Sequence, residues 1–135
     1  MKITTAMLLA AGLGTRMKPL TDNLPKPLIE VGGRTLVDRV LDKLVAQGVT
    51  RAVVNVHYLA DQMEAHLRPR KDIEIIISDE RDLLLETGGG VIKALPKLGD
   101  DPFFVINTDV TWATADDTTF AKMAETYDPN EMDAL

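Results

Sequence analysis

The residues best suited to chemistry lie in a glycine-bounded loop near the N-terminus. An apolar run, Met7–Ala11, is followed by Gly-Leu-Gly-Thr-Arg at residues 12–16, and Lys26 comes ten positions later. Glycines let a backbone pass close to a ligand and aim its N–H groups at one point. Arg16 and Lys26 add positive charge in a chain whose formal net charge is −6. The combination predicts a polyphosphate ligand, and therefore a site that handles nucleotides.

The spacing of this loop separates it from two common phosphate-binding motifs. No Gly-Lys-Ser or Gly-Lys-Thr ends the loop, as a P-loop requires. A dinucleotide fingerprint would need glycine at position 17, where Met17 stands. The acidic residue expected after the second strand of such a fold is also missing. A Rossmann-type oxidoreductase is therefore a weak alternative.

The two cations differ in how firmly the chain supports them. Lys26 stands between Pro25 and Pro27, whose rings restrict the backbone and fix where the lysine side chain leaves it. A stiff support is what a positioned phosphate contact needs. Arg16 has a planar fork that suits phosphate oxygens. Its alternative role is that of an ordinary solvated surface charge.

A carboxylate at the end of an apolar strand is the next candidate. Asp109 closes Phe-Phe-Val-Ile-Asn-Thr-Asp at residues 103–109, where an unpaired buried carboxylate would be costly. It either caps the segment that follows or ligates Mg²⁺, which takes hard oxygen donors and commonly uses one or two carboxylates with substrate phosphate. The glycine loop at the same edge of the sheet favours the metal.

The elements that must position these residues alternate along the chain. Strands are predicted at 3–11, 52–56, 73–77 and 103–107, and helices at 35–47, 59–67, 90–98 and 118–127. This order predicts one α/β domain, 1–135, with a Rossmann-like, mostly parallel sheet and helices on both faces. Ligands bind such sheets beyond the strand ends where strand order reverses. If the fourth strand lies beside the first, and the others on its far side, the glycine loop meets Asp109.

Composition restricts the partners. With 45% hydrophobic residues the chain is expected to fold, and no block of lysine or arginine suggests nucleic acid. The N-terminal apolar run is too short for a signal peptide or a membrane span. The absence of cysteine is compatible with a reducing compartment, so the protein is predicted to be cytoplasmic. The sequence does not decide between a monomer and a homo-oligomer.

The ordered motifs together resemble the signature of the sugar-1-phosphate nucleotidyltransferases. They are Gly-x-Gly-Thr-Arg at 12–16, Pro-Lys-Pro at 25–27, Leu-Glu-Thr-Gly-Gly-Gly at 85–90 and Asn-x-Asp at 107–109. Within that family they are most similar to the N-acetylmuramate 1-phosphate uridylyltransferases of peptidoglycan recycling and to mannose-1-phosphate guanylyltransferase-like proteins. The resemblance implies Mg²⁺-dependent transfer of a nucleotidyl group, with UTP favoured as donor, to a sugar 1-phosphate. The products would be a nucleoside-diphosphate sugar and pyrophosphate.

The same resemblance implies roles for individual residues. Arg16 and Lys26 would be catalytic, Asp109 would hold Mg²⁺, and Asn107 would lie near the sugar phosphate. The nucleotide would be bound by Ala10, Ala11, Gly12, Gly14, Thr15, Arg16, Lys26, Glu80, Glu86 and Gly88. Of these, Glu80 and the 86–89 segment, interpreted as a glycine-rich loop before a helix, would line the base pocket.

Two departures from the family pattern matter. Thr108 stands where glycine is more common, so its side chain is expected to crowd the nucleotide or shift the metal ligand. Family members are also considerably longer than 135 residues. The chain is therefore expected to be the N-terminal, nucleotide-binding half of a longer domain, without most of the acceptor pocket. Alternatives are a nucleotide- or sugar-nucleotide-binding module without turnover, or a guanylyl- or cytidylyltransferase of the same fold.

Overall fold

A parallel sheet forms the centre of the protein in a computed structural model that describes residues 1–135. In chain order the strands are β1 (Thr5–Leu9), β2 (Glu30–Val31), β3 (Arg34–Thr35), β4 (Arg51–Val56), β5 (Glu74–Asp79) and β6 (Phe104–Asn107). The helices are α1 (Leu36–Ala46), α2 (Ala60–Leu67), α3 (Glu86–Leu98) and α4 (Thr119–Thr126). The sheet has the order β5-β4-β1-β6, and all its pairs are parallel. Strand order therefore reverses at β1, as predicted.

The two faces of the sheet pack against different helices. Along β1, Ala6 and Leu8 enter the larger core, which contains residues of α1, α2 and α4, whereas Met7 enters a smaller cluster with Ala94 and Leu98 of α3. Because both faces are covered, the strands are apolar on both sides. The predicted parallel sheet with helices on both faces is confirmed. None of the four helices is both long and apolar enough to cross a membrane.

Local sequence signals explain where α1 begins and ends. Its buried residues recur at helical spacing: Leu36, Val37, Val40, Leu41 and Leu44. At its start the Thr35 hydroxyl accepts a hydrogen bond from the Asp38 N–H at 3.2 Å, which satisfies one of the free donors of the first turn. Gly48 follows its end with a φ of 87°, a conformation that glycine adopts without steric cost.

The sequence-based predictions failed in two places. Gly88–Gly90 lie inside α3, which begins at Glu86, and not in a loop before a helix. At Gly90 close packing of α3 explains the glycine, because a Cβ there would lie 2.8 Å from Nδ2 of Asn55. The short β2–β3 hairpin was also missed. Its turn residues, Gly32–Gly33, have positive φ values of 60° and 78°, as the type I′ form of a two-residue hairpin turn requires.

Candidate active site

A cavity of about 290 Å³ lies at the carboxyl end of the sheet, where strand order reverses. All the predicted site residues except Glu80 and Gly88 line it: Ala10, Ala11, Gly12, Gly14, Thr15, Arg16, Lys26, Glu86, Asn107 and Asp109. The position is the one expected for ligands of open α/β sheets. Topology thus brings together segments that are far apart in sequence.

The pairing of β1 with β6 sets one side of the cavity. Leu9 is opposite Asn107, so the segments after both strands leave the sheet side by side. The Thr108 hydroxyl donates a hydrogen bond to the Leu9 carbonyl at 2.8 Å, and Thr108 is completely buried. Thr108 is also among the residues that line the cavity. Its hydroxyl is turned towards Leu9, so its burial argues against crowding of the nucleotide, and the expectation itself stays a prediction.

The glycine loop is held from behind by half-buried polar contacts. Gly14 has a φ of 63° and precedes a single helical turn, Thr15–Met17. The Thr21 hydroxyl donates to the Gly14 carbonyl at 2.6 Å, and the Tyr58 hydroxyl donates to the Thr21 carbonyl at 2.5 Å. A Cβ on Gly14 would lie only 2.9 Å from Cγ2 of Thr21. Glycine is thus required here by both conformation and space.

Lys26 and Asp109 face each other across the cavity. Lys26 Nζ lies 3.0 Å from Asp109 Oδ2, although the two residues are 83 positions apart in sequence. Pro25 and Pro27 are buried on either side of the lysine, so its backbone is anchored as the sequence indicated. Arg16 is exposed and belongs to none of the ion pairs of the chain. Its charge is therefore free to meet an anion.

The sequence interpretation missed a buried hydrogen-bonded pair at the back of the cavity, here called the Asn55–Glu80 bridge. Asn55 is among the residues that line the cavity, and Glu80 lies behind it. Asn55 Oδ1 accepts from the Ala10 N–H at 2.7 Å, and Asn55 Nδ2 donates to Glu80 Oε2 at 2.8 Å. Glu80 Oε1 accepts from the Leu85 N–H at 3.0 Å. The one available signal was an asparagine within the apolar strand Ala-Val-Val-Asn-Val at 52–56.

Two predicted nucleotide contacts lie away from the cavity lining. Glu80 is completely buried, behind the cavity and not on its surface. Gly88 is exposed in the first turn of α3, outside the lining. The other predicted member of this segment, Glu86, does line the cavity.

The donor set at Asp109 suits a magnesium ion that is shared with a substrate. The Asp109 side chain is 42% exposed and offers hard carboxylate oxygens. No group of three or more histidine, cysteine, aspartate or glutamate residues gathers anywhere in the chain to form a closed metal site. Mg²⁺ keeps several waters and commonly binds through one or two carboxylates plus substrate phosphates. The residues present fit that mode of binding.

A comparison with protein families supplies the relationship that the motifs suggested. The model of the MobA-like NTP transferase domain matches residues 6–135. The chain belongs to this family. The resemblance to sugar-1-phosphate nucleotidyltransferases is thereby confirmed at the level of the family.

Named relatives of this MobA-like domain are nucleotidyltransferases. It is 53% identical to an N-acetylmuramate alpha-1-phosphate uridylyltransferase of Caulobacter vibrioides, over 95% of this chain and 54% of the relative. It is 46% identical to the enzyme of the same name from Neisseria meningitidis serogroup B, over 78% of this chain and 46% of the relative. The chain thus spans about half the length of these relatives.

A solved structure supports the fold. A UDP-glucose pyrophosphorylase from Acinetobacter baumannii superposes with a TM-score of 0.76, over 92% of this chain and 53% of that chain. At 20% identity this likeness shows the architecture alone. The MobA-like domain therefore shares the nucleotidyltransferase fold.

Proposed function

We propose that the cavity of this MobA-like domain binds a nucleoside triphosphate, UTP by preference, with Mg²⁺. The whole protein would transfer the nucleotidyl group to a sugar 1-phosphate and release pyrophosphate. The observation that carries the proposal is the convergence of Arg16, Lys26 and Asp109 on one cavity lined by backbone of the glycine loop. These residues supply the groups that bind a polyanion: two cations, free N–H groups and a carboxylate suited to a divalent metal.

Each of these residues has a role that follows from its charge and support. Arg16 neutralises the departing pyrophosphate, since its planar donors match phosphate oxygens. Lys26, on its proline-flanked support, binds the α-phosphate or the acceptor phosphate as a point charge. Asp109 would hold Mg²⁺, which when bound would supply further neutralisation of phosphate charge. Nucleophile and electrophile are both anionic, so positioning and charge neutralisation supply most of the catalysis.

No general base is part of the proposal. A phosphate monoester is already ionised near neutral pH, so the attacking oxygen carries its charge without help from the protein. The two histidines support this view: His57 Nδ1 contacts the Glu80 carbonyl at 2.6 Å and His66 Nε2 contacts Asp38 at 2.6 Å. Neither lines the cavity.

The relatives guide the choice of substrate. The names of the Caulobacter and Neisseria proteins support UTP as donor and N-acetylmuramate 1-phosphate as acceptor. A cytoplasmic role in recycling of cell-wall sugars belongs to the same proposal.

Calorimetry tests the binding step. UTP, GTP, CTP and dTTP are each titrated into the chain with Mg²⁺, and then into Lys26→Ala and Asp109→Ala. Lys18→Ala is the matched control, because Lys18 is an exposed cation of the same loop region that does not line the cavity. We expect UTP to bind most tightly, with binding lost in the two site variants and kept in the control. A folded chain that binds none of the four nucleotides would contradict the assignment.

Turnover needs a second assay. Release of pyrophosphate is followed with UTP and either N-acetylmuramate 1-phosphate or mannose 1-phosphate, using the full-length protein. We expect release with N-acetylmuramate 1-phosphate. Tight binding of UTP without release would instead show a nucleotide-binding module.

A further inference from the structure

We infer that the Asn55–Glu80 bridge is a positioning device that sets the separation of the two cavity walls that meet the nucleotide. The identity of the ligand rests on the proposed function, whereas the bridge itself rests on contacts within the chain. One wall is the segment 10–12 after β1, and the other is the segment 84–87 at the start of α3. The bridge is a direct polar connection between them.

The connection consists of hydrogen bonds in series. The Ala10 N–H, Asn55 and Glu80 are joined at 2.7 and 2.8 Å, and Glu80 is joined to the Leu85 N–H at 3.0 Å. The backbone of Glu80 is itself held, because its N–H donates to the Val56 carbonyl at 2.8 Å. Both ends of the series are backbone atoms of the walls. A change at Glu80 must therefore be transmitted to Ala10 and Leu85, although Glu80 presents no surface to the cavity.

The direction of the donors explains why a carboxylate is needed at position 80. Ala10 and Leu85 both point N–H donors into the bridge. The Asn55 amide presents its oxygen as an acceptor to Ala10 and its nitrogen as a donor to Glu80. Position 80 must then accept on both sides, which only a carboxylate does. Glutamine there would leave two donors facing each other, whichever way the amides turn.

Helix α3 packs closely against the bridge. Gly90 of α3 lies directly on it, and an added Cβ would stand 2.8 Å from Asn55 Nδ2 and 3.1 Å from Glu80 Oε2. Helix α3 is thus seated against the bridge itself. Asn55 and Glu80 are 3% and 0% exposed, so water does not compete for these hydrogen bonds, and an unmatched donor there would be costly.

The first test uses the chain without nucleotide. Amide hydrogen exchange is measured by NMR for Ala10 and Leu85 in the wild-type chain and in Glu80→Gln. We expect both amides to be protected in the wild type, and protection of at least one to fall in the variant. Wild-type amides that exchange as fast as those of exposed loop residues would overturn the inference. This result does not depend on any ligand, so a failure of the proposed function is seen separately.

The second test reverses the polarity of the bridge. In the double variant Asn55→Asp/Glu80→Gln, the aspartate accepts from Ala10 and from the glutamine amide, and the glutamine oxygen accepts from Leu85. All three hydrogen bonds are restored with the net charge unchanged. Each single variant instead contains a mismatch, two donors in Glu80→Gln and two carboxylates in Asn55→Asp.

Titration of UTP with Mg²⁺ then measures the effect on binding. We expect each single variant to bind roughly tenfold more weakly, the factor that corresponds to one unsatisfied buried donor, and the double variant to return to within about threefold. Glu74→Gln, an exposed carboxylate at the other end of β5, is the control and should bind as wild type does. A folded Glu80→Gln with unchanged affinity would overturn the inference. So would a folded double variant in which the protection of the Ala10 and Leu85 amides does not recover; this readout is used beside affinity because Asn55 lines the cavity and an aspartate there also repels phosphate. If Glu80→Gln does not fold, recovery of fold and binding in the double variant supports it.

Discussion

At the scale of single residues, Lys26 and Asp109 show how a site can matter for function with little effect on stability. Their ion pair joins side chains that are 26% and 42% exposed. Such pairs contribute little to folding, about 0–1 kcal/mol, because water screens them and two long side chains must be ordered. Their value lies in holding opposite charges where phosphate and metal would bind.

We therefore expect Asp109→Asn to change the free energy of unfolding by less than about 1 kcal/mol, while Mg²⁺ no longer improves the binding of UTP. Urea denaturation and titration with and without Mg²⁺ measure the two effects. Asp117→Asn is the matched control, since Asp117 forms an exposed pair with Lys43 at the same 3.0 Å. A variant that keeps the full response to Mg²⁺ would remove Asp109 from the metal site.

For a substitution at Thr108 we expect the opposite of Asp109→Asn: the stability of the fold changes and the affinity for UTP does not. Thr108→Val keeps the shape of the side chain but removes the hydrogen bond to the Leu9 carbonyl. We expect the free energy of unfolding to fall by about 1 kcal/mol and the affinity for UTP to stay the same. Thr108→Ser keeps this hydrogen bond but loses a buried methyl group, so it should cost a similar amount, about 0.8 kcal/mol, also without loss of affinity. A large loss of affinity in Thr108→Val would show that this side chain reaches the nucleotide.

At the scale of elements, α3 shows that neighbouring glycines serve different purposes. A Cβ on Gly88 would meet no atom within 4 Å, whereas one on Gly90 would contact the Asn55–Glu80 bridge. Glycine weakens a helix in both positions because its backbone is so free in the unfolded chain. Only at Gly90 does close packing compensate for that loss.

This contrast predicts changes of opposite sign. Gly88→Ala should raise the free energy of unfolding by about 0.5 kcal/mol through helix propensity. Gly90→Ala should lower it by roughly 1–3 kcal/mol, as overpacking of a filled interior does. Chemical denaturation of the two variants in parallel checks the pair, each serving as control for the other. Equal effects of the two substitutions would mean that α3 does not sit against the bridge.

At the scale of the whole molecule, charged side chains tie the helical layer together. Arg70, whose side chain is only 11% exposed, lies 3.0 Å from Asp38 and 2.7 Å from Asp42 of α1. Burial alone would raise the pKa of Asp38, but hydrogen bonds from Thr35, His66 and Arg70 outweigh it and hold that pKa below the ordinary value of 3.8. A hydrogen bond from Arg34 is the main cause of the lowered pKa of Asp42.

The sign of these shifts sets the pH dependence of folding. A carboxylate whose pKa is lower in the folded state stabilises the protein fully above its unfolded pKa, which is close to the ordinary value. That contribution is lost as the pH falls through the folded value. We expect the free energy of unfolding to decrease steadily as the pH is lowered from about 5 towards 2.

Asp38→Asn isolates the contribution of one carboxylate. We expect it to lower stability near neutral pH by about 2 kcal/mol, since hydrogen bonds to a charged group are lost, and to reduce the slope below about pH 5. Urea denaturation across the acid range measures both. Asp100→Asn, on an exposed aspartate, should keep the wild-type slope. An unchanged slope in Asp38→Asn would place the acid sensitivity elsewhere.

Much of the fold and of the candidate site can be predicted from the sequence. Apolar runs that alternate between strand and helix spacing predict the elements, because each element must bury one side against its neighbours. The glycine loop at 12–16, Lys26 between prolines and Asp109 at a strand end are short-range patterns, and topology brings them to one cavity. The strand order followed partly from the family resemblance, since spacing alone does not specify which strands become neighbours.

Other features depend on contacts that no local pattern contains. Asn55 and Glu80 are 25 positions apart, and Asn55 and Ala10 are 45 apart. Glu80 was therefore predicted as a cavity contact, when folding places it behind the wall. Contacts between distant parts of the chain also explain why Gly88–Gly90 are helical and why Thr108 is buried. A buried polar group is tolerated only where partners meet it, and those partners come together only when the sheet assembles.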